Sequence, residues 1–262
     1  MSKYVFFDID GTVVDYGTQI IPESAAEAIR LLKKNGHLPI VNTGRPIGHV
    51  DPRVQKLDFS GWICSCGMEL ILDGEMIYKD YPTLEECHYI LELAHRCRMA
   101  IQTEGHDSLL FDADMPYHAL GLREAERLAA QGLRVAPIQE TEDLQFIKFV
   151  SYDTPGCLRD EFLQGISSSF DSIIRGNTLV EYVKKGHSKA EGMERFLKEL
   201  HVPKEEIFAI GDSENDLPMF AMAGHTICLG DGVESVKAAA DYVTDPVLGD
   251  GVFNALRHYG LI

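Results

Sequence analysis

Short apolar runs alternate with amphipathic stretches along this chain, the rhythm of strands interleaved with helices. The first run, Tyr4-Val5-Phe6-Phe7, reads as a buried strand that gives way to Asp8-Ile9-Asp10-Gly11-Thr12. Ser24 and Glu27 have capping-box spacing ahead of Ala28, Ile29, Leu31 and Leu32, and Gly36 supplies the stop of that helix. Leu38-Pro39-Ile40-Val41 is a second buried strand, with Asn42-Thr43-Gly44-Arg45-Pro46 at its carboxyl end. Trp62-Ile63-Cys64-Ser65 is a third strand. Leu70-Ile71-Leu72, Asp73-Gly74 and Met76-Ile77-Tyr78 then form a hairpin with an Asp-Gly turn.

Around Pro82 the rhythm changes. Thr83 and Glu86 form another capping box, opening a helix to about Arg98. Short strands follow near 100–103, 108–111, 146–151, 172–175 and 179–183, with helices near 123–131 and 158–170. Gly186 marks the return. Beyond it the spacing predicts helices over 189–200, 217–223, 233–239 and 252–259, and strands over 207–210 and 226–229. The reading is an α/β fold, a doubly wound parallel sheet with a Rossmann-like core formed by 1–81 and 185–262. A separate α+β unit, 82–184, is inserted into it.

Composition narrows the partners. The 262 residues are 45% hydrophobic and 25% charged, with a net charge of −17. Such an acidic chain is not expected to bind nucleic acid or an anionic membrane. No apolar run approaches the roughly 20 residues of a membrane span, and Met1-Ser2-Lys3-Tyr4 leads straight into a strand. A cytoplasmic protein is therefore expected. The six cysteines (64, 66, 87, 97, 157 and 228) lack zinc-like spacing and are expected to be reduced, buried thiols. Cys64 and Cys66 would share one face of the third strand.

Two acidic knots carry the candidate chemistry. The first follows the opening strand. The second, Gly211-Asp212-Ser213-Glu214-Asn215-Asp216, follows Ile207-Phe208-Ala209-Ile210. Ligands of open α/β sheets bind at the carboxyl ends of the strands. Two such ends side by side would gather Asp8, Asp10, Asp212 and Asp216, and carboxylates crowded together call for a hard cation, Mg²⁺.

Asp8-Ile9-Asp10-Gly11-Thr12, Thr43-Gly44-Arg45, Lys189 in Gly186-His187-Ser188-Lys189, and Gly211-Asp212 with Asn215-Asp216 resemble, in this order, the haloacid dehalogenase superfamily of phosphatases. The Thr-Gly-Arg form of the second motif and the large insert after it are similar to its Cof-type branch, which carries an α/β cap. The resemblance spans essentially the whole chain. It implies Asp8 as nucleophile, forming an aspartyl-phosphate, and Asp10 as general acid and base. Thr43, Gly44, Lys189 and Asn215 would bind the phosphoryl group. Mg²⁺ would be held by Asp8, the Asp10 backbone carbonyl, Asp212, and Asp216 directly or through water. Arg45 would reach the substrate or pair with an acidic neighbour.

The implied substrate is a small phosphorylated metabolite, a sugar phosphate or similar phosphomonoester, selected by the cap. His187 reads as structural, and Glu104, His106, His118, Arg175 and Asn177 in the insert read as surface residues. Where the branch usually has Asn-Gly-Ala after the third strand, this chain has Cys66-Gly67-Met68. Two other readings share the acidic pocket. One is a phosphosugar mutase using the same intermediate, and the other is a non-catalytic, metal-binding receiver-like module. Oligomeric state is not written in the sequence.

Overall fold

The computed structural model describes residues 2–115, 119–142, 144–175, 179–198 and 200–262. His118 and Asn177 lie outside the described residues. In chain order the strands are β1 (Tyr4–Phe7), β2 (Leu38–Asn42), β3 (Gly61–Cys64), β4 (Glu69–Leu72) and β5 (Glu75–Lys79). They continue as β6 (Ala100–Glu104), β7 (Ser108–Phe111), β8 (Arg134–Pro137), β9 (Lys148–Tyr152), β10 (Phe170–Arg175) and β11 (Leu179–Lys184). The last are β12 (Ile207–Gly211), β13 (His225–Cys228) and β14 (Tyr242–Val243). The chain forms two compact units, one of residues 1–44, 52–79 and 187–262, the other of 45–51 and 80–186.

The first unit is built on an eight-stranded sheet in the order β14-β13-β12-β1-β2-β3-β4-β5. The six strands from β14 to β3 run parallel, and the β4–β5 hairpin adds two antiparallel strands at one edge. β1 lies centrally, with Phe7 opposite Val41 of β2 on one side and Ile210 of β12 on the other. Chain direction across the sheet reverses at this place, so the loops after β1, β2 and β12 open at one edge. Side chains alternate faces along a strand. Phe6, Ile40 and Ala209 therefore share a cluster with Met193, Phe196, Met219 and Phe220 from helices Lys189–Leu197 and Leu217–Met222. Asp73 and Gly74 both take positive φ, as the Asp-Gly hairpin turn requires.

The second unit is a six-stranded sheet in the order β10-β11-β9-β6-β7-β8, antiparallel except for the β7–β8 pair. Helices Leu84–Arg96 and Arg159–Ile166 pack on it through Ile90, Leu93, Phe149, Phe162 and Tyr182. The Thr83–Glu86 capping box forms as read from the sequence. Residues 45–51 fold with this unit. Gly48 lies so close to the His106 carbonyl that a Cβ would sit 1.6 Å from its oxygen. The buried His49 donates from Nε2 to the Ser108 carbonyl at 3.1 Å.

Several local readings are corrected. Ser24 does not cap its helix: the helix runs Glu23–Lys34 behind Pro22, and the buried Ser24 Oγ has no partner among the described residues. Proline at that position already sets an extended entry. Cys66 leaves β3 for a tight turn, so Cys64 and Cys66 do not share a strand face. All six cysteines are free thiols. β8 was not legible, because Arg134-Val135-Ala136-Pro137 is short and closed by proline. No helix among the described residues is long and apolar enough to cross a membrane.

Candidate active site

Asp8 is the first residue beyond β1 and stays in ladder geometry, its N–H donating to the Ile210 carbonyl at 3.0 Å. The chain then turns at once. The N–H groups of Thr12, Val13 and Val14 all converge on the Ile9 carbonyl. Gly11 stands at φ 82°, where a β-carbon is penalised, and a Cβ there would lie 2.4 Å from Asp212 Oδ2. Gly11 thus serves two needs, the turn and the close approach of Asp212. Thr12 completes the junction by donating from Oγ1 to Asp212 Oδ1 at 2.9 Å.

The second acidic loop closes on itself. Asp216 Oδ2 accepts from the N–H groups of Asp212 (2.9 Å) and Ser213 (3.0 Å). Gly211 permits this, since a Cβ on it would sit 2.5 Å from the Asp216 carboxyl carbon. Asn215 Oδ1 accepts from Ser213 Oγ at 2.5 Å, which orients its amide within the loop.

Lys189 joins the two knots. It opens helix Lys189–Leu197, whose N-cap Ser188 accepts from Ala190 and Glu191 N–H through its Oγ. The Lys189 ammonium lies 2.8 Å from Asp8 Oδ1 and 2.5 Å from Asp216 Oδ1, with its side chain only 1% exposed. Burial by itself would discharge this lysine, but Asp216 and Asp8 outweigh burial and raise its pKa above the ordinary value. The carboxylates feel the opposite balance. Burial pushes Asp8 well above the usual range despite Lys189, with Asp216 and Asp212 adding to the rise. Asp212 is pushed up to about 7, first by burial and then by Asp216, against the Thr12 hydrogen bond and Lys189.

Burial is thus the larger cause of both rises, and the neighbouring carboxylates add to it. Asp8, Asp212 and Asp216 each offer an oxygen within 4.8 Å of the others, and a single ammonium offsets them. The donors are hard carboxylate oxygens, the chemistry that suits Mg²⁺. The residues present therefore fit a divalent cation. Asp8 and Asp212 have the less committed oxygens, because Asp216 already spends Oδ2 on two amides and Oδ1 on Lys189.

Of the other residues read from the sequence, Thr43 is buried immediately after β2, beside Asp8 in the sheet order. Its backbone is clamped, N–H to the Ile63 carbonyl and carbonyl to the Cys66 N–H. Gly44 follows it. Asp10 lies in the turn, bridged in parallel with Val14. Arg45 pairs with Glu124 at 3.0 Å within the second unit. Burial opposes that charge, yet Arg127 and Arg45 together hold the Glu124 carboxyl down to about 2. His187 is buried and meets the Tyr78 hydroxyl through Nε2 at 3.3 Å. The sequence reading missed Ser188, although Ser188 and Glu191 carry capping-box spacing. It also missed Asn42, for which no local signal exists, and named Gly211 in its motif without the close approach of Asp216 that requires it.

The chain that builds this edge is matched over residues 5–256 by the model of one family, the haloacid dehalogenase-like hydrolases. The chain belongs to that family. Among similar proteins is "Putative phosphatase YkrA" of Bacillus subtilis (strain 168), 28% identical over 263 residues, covering 100% of this chain and 99% of the relative. The 5-amino-6-(5-phospho-D-ribitylamino)uracil phosphatase YcsE of the same organism is 25% identical, covering 99% and 96%. Among solved structures, the phosphatase BT1666 from Bacteroides thetaiotaomicron superposes with a TM-score of 0.82 at 25% identity, covering 100% and 96%. This hydrolase thus shares its fold and its length with relatives named as phosphatases.

Proposed function

We propose that this hydrolase is an Mg²⁺-dependent phosphatase of a small phosphomonoester, a sugar phosphate or similar metabolite, working through an aspartyl-phosphate on Asp8. The observation that carries the reading is the Lys189 ammonium, buried and fixed at 2.8 Å from Asp8 Oδ1. A carboxylate held beside a permanent cation at a strand end is oriented for in-line attack and stays largely ionised once the remaining charge is balanced. The bound cation would supply that balance and offset charge on the phosphoryl oxygens. Asp8 and Asp212 would hold it, with the Asp10 carbonyl, and Asp216 through water.

In the first half-reaction an Asp8 carboxylate oxygen bonds to phosphorus as the bond to the leaving oxygen breaks. Asp10 gives its proton to the departing alkoxide, which leaves as the alcohol. Water then attacks phosphorus while Asp10 recovers a proton from it. The bond from Asp8 to phosphorus breaks, and inorganic phosphate departs. Lys189 and the Thr43 hydroxyl, with the Gly44 N–H, hold the transferring oxygens, and Asn215 steadies the loop beside them. The named substrate of the YcsE relative is itself a phosphorylated ribityl compound, which favours the sugar-phosphate class.

Purified protein with Mg²⁺ should release inorganic phosphate from an aryl phosphate and more rapidly from some members of a panel of phosphorylated metabolites. Asp8→Asn should reduce the rate to background. Equal rates in the two proteins would sink the assignment of Asp8. Isomerisation of a sugar monophosphate that requires a sugar bisphosphate, without net release of phosphate, would instead mark a mutase.

A further inference from the structure

We propose that Asn42 is a positioning residue for the phosphate-binding lysine, an assignment that rests on the phosphatase reading above. Asn42 ends β2, one residue before Thr43, and is fully buried. Its Nδ2 donates to the backbone carbonyl of Lys189 at 3.0 Å, across 147 residues of sequence. The same Nδ2 lies 3.7 Å from Met219 Sδ, in the helix that continues from Asp216. One amide therefore touches the strand that delivers Thr43, the helix start that delivers Lys189, and the helix behind Asp216.

Packing does not account for an asparagine here. Its Oδ1 is buried with no hydrogen-bond partner among the described residues. An apolar side chain of similar size would leave no such orphan. The surroundings otherwise hold the helix tightly against the sheet. A Cβ on Gly192 would sit 2.5 Å from Ile63 Cγ2, and one on Gly67 would sit 2.8 Å from Gly192 Cα. Ser188 caps the helix end, but its hydrogen bonds run along the helix and do not tie it to the strand. Asn42 supplies that lateral tie. A displacement of Lys189 would move its ammonium off Asp8 and Asp216, and misplacement by about 1 Å is enough to lower a rate on the order of 100-fold.

The test compares Asn42→Leu and Asn42→Thr with wild type in the intact protein, using an aryl phosphate and Mg²⁺ and reading kcat, KM and Tm. Asn42→Leu is expected to keep or raise Tm while kcat falls by about tenfold or more and KM changes little. Asn42→Thr, which retains a donor, is expected to recover part of kcat. Loss of Tm with kcat per folded molecule unchanged would show an ordinary core amide and overturn the proposal. Lysine-selective ¹⁵N NMR reads the same question without turnover, and so separates it from failure of the phosphatase reading. The Lys189 ammonium signal, protected between Asp8 and Asp216, should broaden or shift in Asn42→Leu. An unchanged signal would overturn the proposal whether or not the wild type is active. Should Asn42→Leu not fold, Asn42→Ala serves the same comparison.

Discussion

At the scale of single residues, the site is held by atoms that are absent as much as by those present. Gly11 and Gly211 each leave room for a carboxylate where a β-carbon would stand. Gly11→Ala should displace Asp212, reducing kcat/KM by about 100-fold or more and abolishing the rise in Tm expected of the wild type on adding Mg²⁺; retention of both would refute the role given to Gly11. Asp216 ties Lys189 to the second acidic loop, its Oδ1 on the ammonium and its Oδ2 on the Asp212 and Ser213 N–H groups. Its loss leaves those donors unmatched. Asp216→Ala should destabilise the protein by about 3–5 kcal/mol in urea unfolding. Ser65, Cys66 and Gly67 all take positive φ, at 52°, 55° and 89°. A side chain other than Gly, Asn or Asp is poorly suited to that region. Cys66→Asn should therefore raise Tm, by about 1–3 °C, without altering turnover.

Among elements, the strand ends and helix starts matter more than the elements' interiors. β1, β2 and β12 are near-continuous apolar runs because both faces of the sheet are covered, and such runs were plain in the sequence. The starts of the helices at Glu23 and Leu84 were both legible to within a residue or two, but the same spacing marks a true side-chain cap only in the second. Thr83 caps its helix; Ser24, with the same spacing, does not. Ser188 is the cap of consequence, since the next residue is Lys189. Ser188→Ala should destabilise by about 1 kcal/mol and lower kcat more than Thr83→Ala does, when both are assayed under conditions where each is fully folded. The Arg45 segment shows the limit of motif reading. Thr43-Gly44-Arg45 is contiguous in sequence, yet Thr43 and Gly44 belong to one unit and Arg45 to the other, where its guanidinium has Glu124.

For the molecule as a whole, the buried surplus of negative charge couples stability to pH and to divalent cations. Asp212 is raised to about 7 in the folded chain, above the carboxylate's ordinary value. Its contribution to stability is thus complete below the ordinary value near pH 4 and is lost as pH rises through about 7. Without a cation, Tm should fall over that window for this reason. Mg²⁺ competes with the proton, so the Tm gain on adding it should be small near pH 5 and full near pH 8. A gain independent of pH would place the cation elsewhere. Sequence alone determined the alternation of most strands and helices (β8 and β14 excepted), the two acidic knots and the lysine between them, because apolar period and turn chemistry are local properties. It also carried the family. Tertiary structure decided which carboxylate meets which partner: that Asp216 is spent on Lys189 and two amides, that Asp212 leans on Thr12, and that Asn42 reaches the Lys189 carbonyl. Apart from the two amides, which lie in Asp216's own loop, those pairings join residues far apart in the chain, and the sheet order that sets β12 and β2 on either side of β1 brings them within hydrogen-bonding distance.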